Sequence, residues 1–139
     1  MNIELTRVSR SFGKNKAVDG VSLEAGPGVL GLLGPNGAGK TSLLRMLATV
    51  LPPSAGGIRL LQRDPGTSAD RREIRRRLGY LPQNLGYYPA FTVVEFIEYF
   101  ALLKEVPSAR VPRAVAASVE RVDLGAKASA KLRDRKSVV

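Results

Sequence analysis

Residues 34–41 carry the feature that most restricts the fold, because they read Gly-Pro-Asn-Gly-Ala-Gly-Lys-Thr and match the pattern G-x-x-x-x-G-K-[ST] in full. An apolar run precedes them at residues 29–33, with the length and lack of alternation typical of a strand buried on both faces. Leucines follow at helical spacing until Pro52 and Pro53 end the element. Strand, glycine loop and helix in this order predict an α/β fold with a parallel sheet.

Each residue type in this segment, called the phosphate loop below, has a physical task in binding phosphate. The glycines let the backbone turn so that N–H groups from about Gly37 to Ser42 point into one concavity. Lys40 adds a positive charge for the β- and γ-phosphates, and the helix that begins near it adds the partial charge of its N-terminus. The hydroxyl of Thr41 can bind magnesium, and that of Ser42 the α-phosphate. We therefore predict a nucleoside triphosphate site rather than a glycine-rich turn without a ligand.

Residues 1–24 predict a small antiparallel flap, since apolar residues lie near alternation on either side of a turn region at residues 11–13. Short strands are also expected at residues 58–61 and 78–83, the second of them closed by Pro82. The first half of the chain is therefore expected to be rich in strands.

The sequence from about residue 84 onward is typical of helices. Thr92 and Glu95 have the spacing of a capping box, and aromatic and apolar residues follow at helical spacing. A second helix is expected where four valines line one side, before residues 123–125 end it. These valines are Val111, Val115, Val119 and Val122.

The formal net charge of +10 raises the question of a polyanion-binding surface. Much of the charge lies in two basic clusters, one at residues 71–77 and one at residues 127–136. Neither cluster has the interleaved aromatic residues that stack on nucleic-acid bases. We therefore expect solvated faces or surfaces that dock a partner, with contact to a lipid headgroup or to nucleic acid as the alternative.

The sequence contains no cysteine, and its start has neither the basic region nor the apolar core of a secretory signal. No apolar stretch approaches the roughly 18 residues that a membrane-spanning helix needs. We therefore expect a cytoplasmic protein that reaches a membrane only through a partner.

The form of the phosphate loop resembles that of the ATP-binding domains of ABC transporters, since Ser-Leu-Leu at residues 42–44 follows Gly-Lys-Thr. Phe12, ahead of the loop, is similar to the family's A-loop aromatic residue, which stacks on adenine, and Val18 to its apolar neighbour. Gly-Tyr-Leu-Pro-Gln at residues 79–83 resembles the Q-loop. The glutamine of that motif, here Gln83, reaches magnesium and the γ-phosphate side in the family.

The resemblance implies an α/β P-loop NTPase fold of the ABC type, truncated, with an N-terminal antiparallel flap and a partial helical subdomain. Residues 1–83 would form the ATP-binding core with the flap and the phosphate loop, and residues 84–139 the partial α-helical subdomain and tail. The implied cofactors are ATP and Mg²⁺, with Thr41 and Gln83 binding the metal. The implied nucleotide-binding residues are Phe12, Val18, Gly34, Pro35, Asn36, Gly37, Ala38, Gly39, Lys40, Thr41, Ser42 and Gln83.

The sequence also departs from the family's pattern. It contains no L-S-G-G-Q-like signature, no Walker B strand ending in an acidic pair, and no switch histidine, since histidine is absent altogether. Gln62 stands where the family commonly has glycine. Hydrolysis requires an oriented water and a general base or positioning group, so these residues are expected to supply half of a site and no catalytic residue.

These observations predict the ATP-binding subunit of an ABC transporter, or an N-terminal fragment of it, similar to bacterial export ATPases. The resemblance implies two partners, a transmembrane permease subunit and a second ABC ATPase domain in a head-to-tail dimer, and a position at the inner face of the cell membrane. The alternatives are a non-catalytic nucleotide-binding fragment and a nucleic-acid-associated ABC-type ATPase. Phosphate-loop kinases and GTPases do not explain the Q-loop segment, and no residue here encodes the transport substrate.

Overall fold

The structure, a computed structural model, describes residues 2–84 and 86–134. The chain forms two compact units, Met1–Tyr80 and Leu81–Val139. The boundary lies within the segment that resembles the Q-loop. The division into an ATP-binding core at residues 1–83 and a helical subdomain at residues 84–139 stays a prediction.

A three-stranded antiparallel sheet forms the centre of the first unit, in the order β2, β1, β3. The strands are β1 (Ile3–Phe12), β2 (Asn15–Ala25) and β3 (Ala55–Leu60). A turn that begins at Gly13, with φ +58°, joins β1 to β2. The predicted antiparallel flap is confirmed, and its two strands are longer than the alternating apolar residues indicated.

The core of the first unit lies between this sheet and two helices, α1 (Lys40–Leu47) and α2 (Ser68–Arg77). Four of its side chains are fully buried and come from four different elements. They are Val8, Met46, Leu60 and Ile74.

The helix α2 was not predicted from the sequence, because the basic residues of this segment hide the apolar spacing on which helix prediction depends. Ile74 is the one buried residue among the ten of this helix. Local signals are nevertheless present, since the Thr67 hydroxyl accepts the N–H of Asp70 at 3.3 Å. Arginines in the last turn also suit the negative end of the helix dipole.

Residues 29–33 do not form the buried strand that the sequence analysis predicted. No strand lies between β2 and α1 in the described part of the chain, and Val29 and Leu33 are 104% and 97% exposed. A strand requires backbone hydrogen bonds to a neighbouring strand. Among the described residues, β1, β2 and β3 form antiparallel pairs with one another, and the further bridge from Leu60 of β3 to Arg63 is also antiparallel. The predicted parallel sheet is therefore absent from residues 2–84 and 86–134. The strand predicted at residues 78–83 is irregular chain for the same reason.

The second unit contains the two predicted helices, α3 (Val93–Leu103) and α4 (Val111–Arg121). The capping box is confirmed, because Glu95 N–H donates to the Thr92 hydroxyl and Thr92 N–H donates to the Glu95 carboxylate, at 3.2 and 2.7 Å. The valine face is confirmed at three of its four positions, since Val122 lies beyond α4 and is exposed. The core of this unit is formed by Val93, Val111, Val115 and Val119.

Within residues 2–84 and 86–134, none of the helices has the length and apolar character required to cross a membrane.

Candidate nucleotide-binding site

The phosphate loop packs closely against β2 at Gly39. A Cβ atom at this position would lie 2.0 Å from the carbonyl oxygen of Ala17, and Gly39 has φ +83°, a conformation that L side chains rarely adopt. Gly39 must therefore be glycine for a steric and a conformational reason at once. The motif predicted a glycine for the turn and for phosphate access, whereas the approach to Ala17 is a tertiary constraint.

The N-terminus of α1 presents donors toward the loop. Gly39 has no side chain to cap the helix, and the first intrahelical hydrogen bond runs from Leu43 N–H to the Gly39 carbonyl at 2.9 Å. The N–H groups of Lys40, Thr41 and Ser42 precede that bond and have no carbonyl one turn earlier in the helix. Such groups, together with the helix dipole, form an anion-binding site.

The side chain of Lys40 bends back over the loop. Its Nζ donates to the carbonyl oxygens of Gly34 and Pro35, at 2.6 Å each. The Pro35 carbonyl also accepts the N–H of Ala38 at 3.3 Å. The lysine charge therefore already lies at the loop where the sequence analysis placed the phosphates, and it is half-buried there.

The other loop residues are open to solvent. Asn36, Gly37, Ala38 and Thr41 are exposed, and Ser42 is half-buried. A pocket of about 310 Å³ adjoins the loop. Its walls include Ala17, Val18, Asp19, Val21, Leu32, Leu33, Ala38, Gly39, Lys40 and Leu43. Larger pockets lie elsewhere in each unit, but they lack the N–H groups and the lysine that suit a triphosphate.

Val18 is buried in the core of the first unit with Leu43. Its Cγ2 would lie 3.1 Å from a Cβ at residue 39, so it also forms part of the surface behind the loop. Structural packing is thus one function of Val18, and its contact with adenine stays a prediction.

Phe12, at the end of β1, is 48% exposed, as a stacking residue requires. The guanidinium carbon of Arg10 lies 4.8 Å from the centre of its ring, a cation–π contact. This contact was not predicted from the sequence, although residues two apart on a strand share a face. Because Arg10 covers one face of the ring, adenine stacking, which stays a prediction, would use the other.

Gln83 lies in the second unit, in irregular and exposed chain. Its predicted role at magnesium therefore remains untested, as does that of Thr41. Within the described residues, no three acidic, histidine or cysteine side chains form a cluster that could hold a metal ion. Thr41 offers an exposed hydroxyl oxygen in the loop, a donor type that Mg²⁺ accepts.

The basic cluster at residues 71–77 is mostly exposed, and three of its arginines also bind groups within the chain. Arg71 donates to the Pro65 carbonyl at 3.0 Å, and Arg76 pairs with Glu73. Arg75 binds Thr49, as described below. The second basic cluster, at residues 127–136, extends outside the described residues.

A model of the family described as ABC transporter matches residues 18–138. The chain belongs to the ABC transporter family. This confirms the predicted family and, at the level of the family, its interpretation as the ATP-binding part of such a transporter.

Relatives within the family include export proteins of bacteria. The chain is 44% identical to the Nod factor export ATP-binding protein I of Paraburkholderia xenovorans (strain LB400), over 79% of this chain and 37% of that protein. It is 35% identical to the protein of the same name from Cupriavidus metallidurans, over 95% of this chain and 43% of that protein. The chain thus spans less than half the length of these relatives.

A solved structure described as the ATP binding subunit of an ABC transporter superposes with a TM-score of 0.75. The superposition covers 94% of this chain and 54% of the solved chain, at 19% sequence identity. At this identity the likeness concerns the fold, and it confirms the predicted ABC-type P-loop fold.

Proposed function

We propose that this chain binds Mg-ATP through the phosphate loop, as the N-terminal part of an ABC transporter ATP-binding subunit. One observation carries the proposal: three N–H groups at the start of α1, the Lys40 ammonium and a glycine backbone lie at one loop. A triphosphate satisfies all of these donors at once, whereas a structural turn needs none of them.

Each predicted site residue has a defined role in this proposal. The backbone of residues 34–39, which includes Pro35, Asn36 and Ala38, would surround the β-phosphate. Lys40 would exchange its two carbonyl partners for the β- and γ-phosphates. Thr41 and Gln83 would bind Mg²⁺, and Ser42 the α-phosphate.

The adenine would stack on the free face of Phe12, with Val18 as apolar neighbour. The cation–π contact supports this role, because Arg10 holds the exposed ring in one orientation and so reduces the entropy that adenine binding must overcome.

We further propose that residues 1–83 are the ATP-binding core and residues 84–139 part of the α-helical subdomain that faces a permease. The second unit exposes several large apolar side chains, and exposed apolar patches are typical of surfaces that dock another protein. Those within residues 84–139 are Tyr87, Tyr88, Phe100, Leu102, Leu103 and Val122.

A second ABC ATPase domain in a head-to-tail dimer would complete the ATP site. The names of the relatives favour export, and a permease partner would place the chain at the cytoplasmic face of the cell membrane. The alternative of a nucleic-acid-associated ATPase is less well supported, since several arginines of the first basic cluster are bound within the chain.

Equilibrium binding of labelled ATP to the full chain, with and without Mg²⁺, tests the proposal. We expect Lys40→Ala to abolish binding and to leave the far-UV circular dichroism unchanged, because the lysine side chain contributes no core packing. Lys14→Ala is the matched control, since Lys14 is an exposed lysine in the same unit. Equal ATP affinity in the parent and in Lys40→Ala would contradict the proposed site.

A further inference from the structure

Thr49 has a backbone conformation that its residue type disfavours. α1 ends in a Schellman arrangement, in which Val50 N–H donates to Arg45 O at 2.9 Å and Thr49 N–H donates to Met46 O at 3.0 Å. This arrangement places Thr49 at φ +58°, where glycine is the usual residue and a β-branched residue is an outlier. Thr49 is also buried, at 8% exposed. A residue that opposes its own local preference indicates that a tertiary contact holds it there.

Arg75 of α2 makes that contact. Its Nε donates to the Thr49 hydroxyl oxygen at 2.8 Å, and its Nη2 donates to the Thr49 carbonyl oxygen at 2.7 Å. Two donors of one planar guanidinium therefore bind two acceptors of a single residue, which a lysine cannot reproduce. The positive charge also lies beyond the C-terminus of α1, where the helix dipole favours it. A glycine at residue 49 would suit the backbone but would lack the hydroxyl that Arg75 binds.

We infer that Arg75 is a positioning residue for the phosphate loop, because it clamps Thr49 and so fixes the C-terminal end of α1. This inference rests on the proposed binding of ATP at the other end of the same helix. α1 has eight residues and is therefore about 12 Å long, and Met46 and Leu47 are buried in the core. A shift at Thr49 is consequently transmitted to the N–H groups of Lys40 and Thr41. The clamp raises ATP affinity by holding those donors in place before the ligand arrives.

Four single variants of the full chain test this role through the affinity for labelled Mg-ATP. Arg75→Lys keeps the charge and Thr49→Val keeps the shape, and each removes part of the clamp. We expect both to weaken ATP binding about threefold to tenfold. Thr49→Ser retains the hydroxyl and should restore affinity to within about twofold of the parent. Arg77→Lys, at an exposed arginine of the same helix, is the control and should match the parent.

The double variant Arg75→Lys/Thr49→Val should bind ATP no more weakly than the weaker single variant, because both substitutions remove one interaction. Urea unfolding of every variant separates a positioning role from a structural one. A lower unfolding midpoint with unchanged ATP affinity would overturn the inference. Additive losses in the double variant would also overturn it, since they would place the two residues in separate interactions.

Amide hydrogen exchange provides a measurement that does not depend on ATP. We expect Arg75→Lys to speed exchange at residues 47–51 and at Leu43, the first hydrogen-bonded amide of α1, with no change in β1. Unchanged exchange in α1 would overturn the clamp itself. If the parent fails to bind ATP, or binds it equally well with Lys40→Ala, the proposed function fails and the consequence for ATP fails with it. The exchange result alone then decides whether Arg75 holds α1.

Discussion

The side-chain nitrogen of Lys40 lies 2.6 Å from the carbonyl oxygen of Gly34, so the loop's own backbone holds the charge that the motif assigns to phosphate. A second contact of the same length joins Lys40 to Pro35. In the proposed function, an incoming triphosphate would replace both hydrogen bonds with contacts between Lys40 and the β- and γ-phosphates. The exchange is favourable, because hydrogen bonds between two charged groups are stronger than those to a neutral carbonyl.

Gly39→Ala should abolish ATP binding and lower the free energy of unfolding by about 1–3 kcal/mol. The new Cβ would meet the Ala17 carbonyl, and φ at residue 39 is positive. Urea unfolding and labelled-ATP binding measure the two effects. Gly26→Ala is the matched control, since nothing lies within 4 Å of its added Cβ. Normal stability in Gly39→Ala would contradict the close packing of loop and flap.

Phe12→Ala should weaken ATP more than it weakens inorganic triphosphate, because only ATP carries a ring that can stack. Stacking of a base on an aromatic side chain contributes about 1–3 kcal/mol, so we expect at least about a fivefold loss for ATP. Competition against labelled ATP gives both affinities, and Tyr87→Ala, an exposed aromatic in the second unit, is the control. An equal loss for the two ligands would remove Phe12 from the adenine site.

The capping box of α3 predicts a pH-dependent stability. The pKa of Glu95 is lowered chiefly because its carboxylate accepts the Thr92 backbone N–H, with the Thr92 side chain and the charge of Lys131 acting in the same direction. A lowered pKa in the folded state stabilises the fold above the pKa of the unfolded chain, and this contribution disappears as pH falls through the folded value.

Glu95→Gln should therefore lower the unfolding free energy at neutral pH, and the difference from the parent should shrink below about pH 4. Urea titrations followed by far-UV circular dichroism at pH 7 and at roughly pH 3 measure it. Glu98→Gln, on the same helix, is the control. A difference that persists unchanged in acid would show that the charge of Glu95 is not what stabilises α3.

A polypeptide of these 139 residues should bind Mg-ATP and should release phosphate no faster than the uncatalysed background. In the proposed site, Lys40 and the loop amides would stabilise bound triphosphate, but they would offer little that is stronger in the transition state without a base or an oriented water. The carboxylates of Asp64 and Glu95 are hydrogen-bonded to nearby backbone, since Asp64 accepts the N–H of Gly66 and Glu95 accepts that of Thr92. Steady phosphate release that Lys40→Ala removes would contradict this prediction.

Several elements were predictable from sequence because their determinants are close along the chain. The side chains of Thr92 and Glu95, which are three residues apart in the sequence, cap the start of α3. The valines of α4 repeat at helical spacing. The phosphate-loop glycines likewise follow from a short pattern. In each case the interacting groups lie within one or two turns, so the local sequence already specifies the geometry.

Other features depended on residues that the sequence separates. The apolar run at residues 29–33 has the composition of a buried strand, but among the described residues no strand lies beside it to bind its backbone. The Arg75–Thr49 contact joins positions 26 residues apart. From the sequence alone, Arg75 was expected to lie on a solvated or partner-docking surface. The need for glycine at residue 39 comes from Ala17, on another element.

The sequence by itself therefore identified the loop that we propose to bind a triphosphate, because the loop's chemistry lies in eight consecutive residues. The tertiary structure decided how they are held: β2 excludes a side chain at Gly39, and α2 holds the far end of α1 through Arg75. Strand pairing and side-chain clamps require partners brought together by folding, and a linear pattern specifies the capacity for such contacts but not the partner.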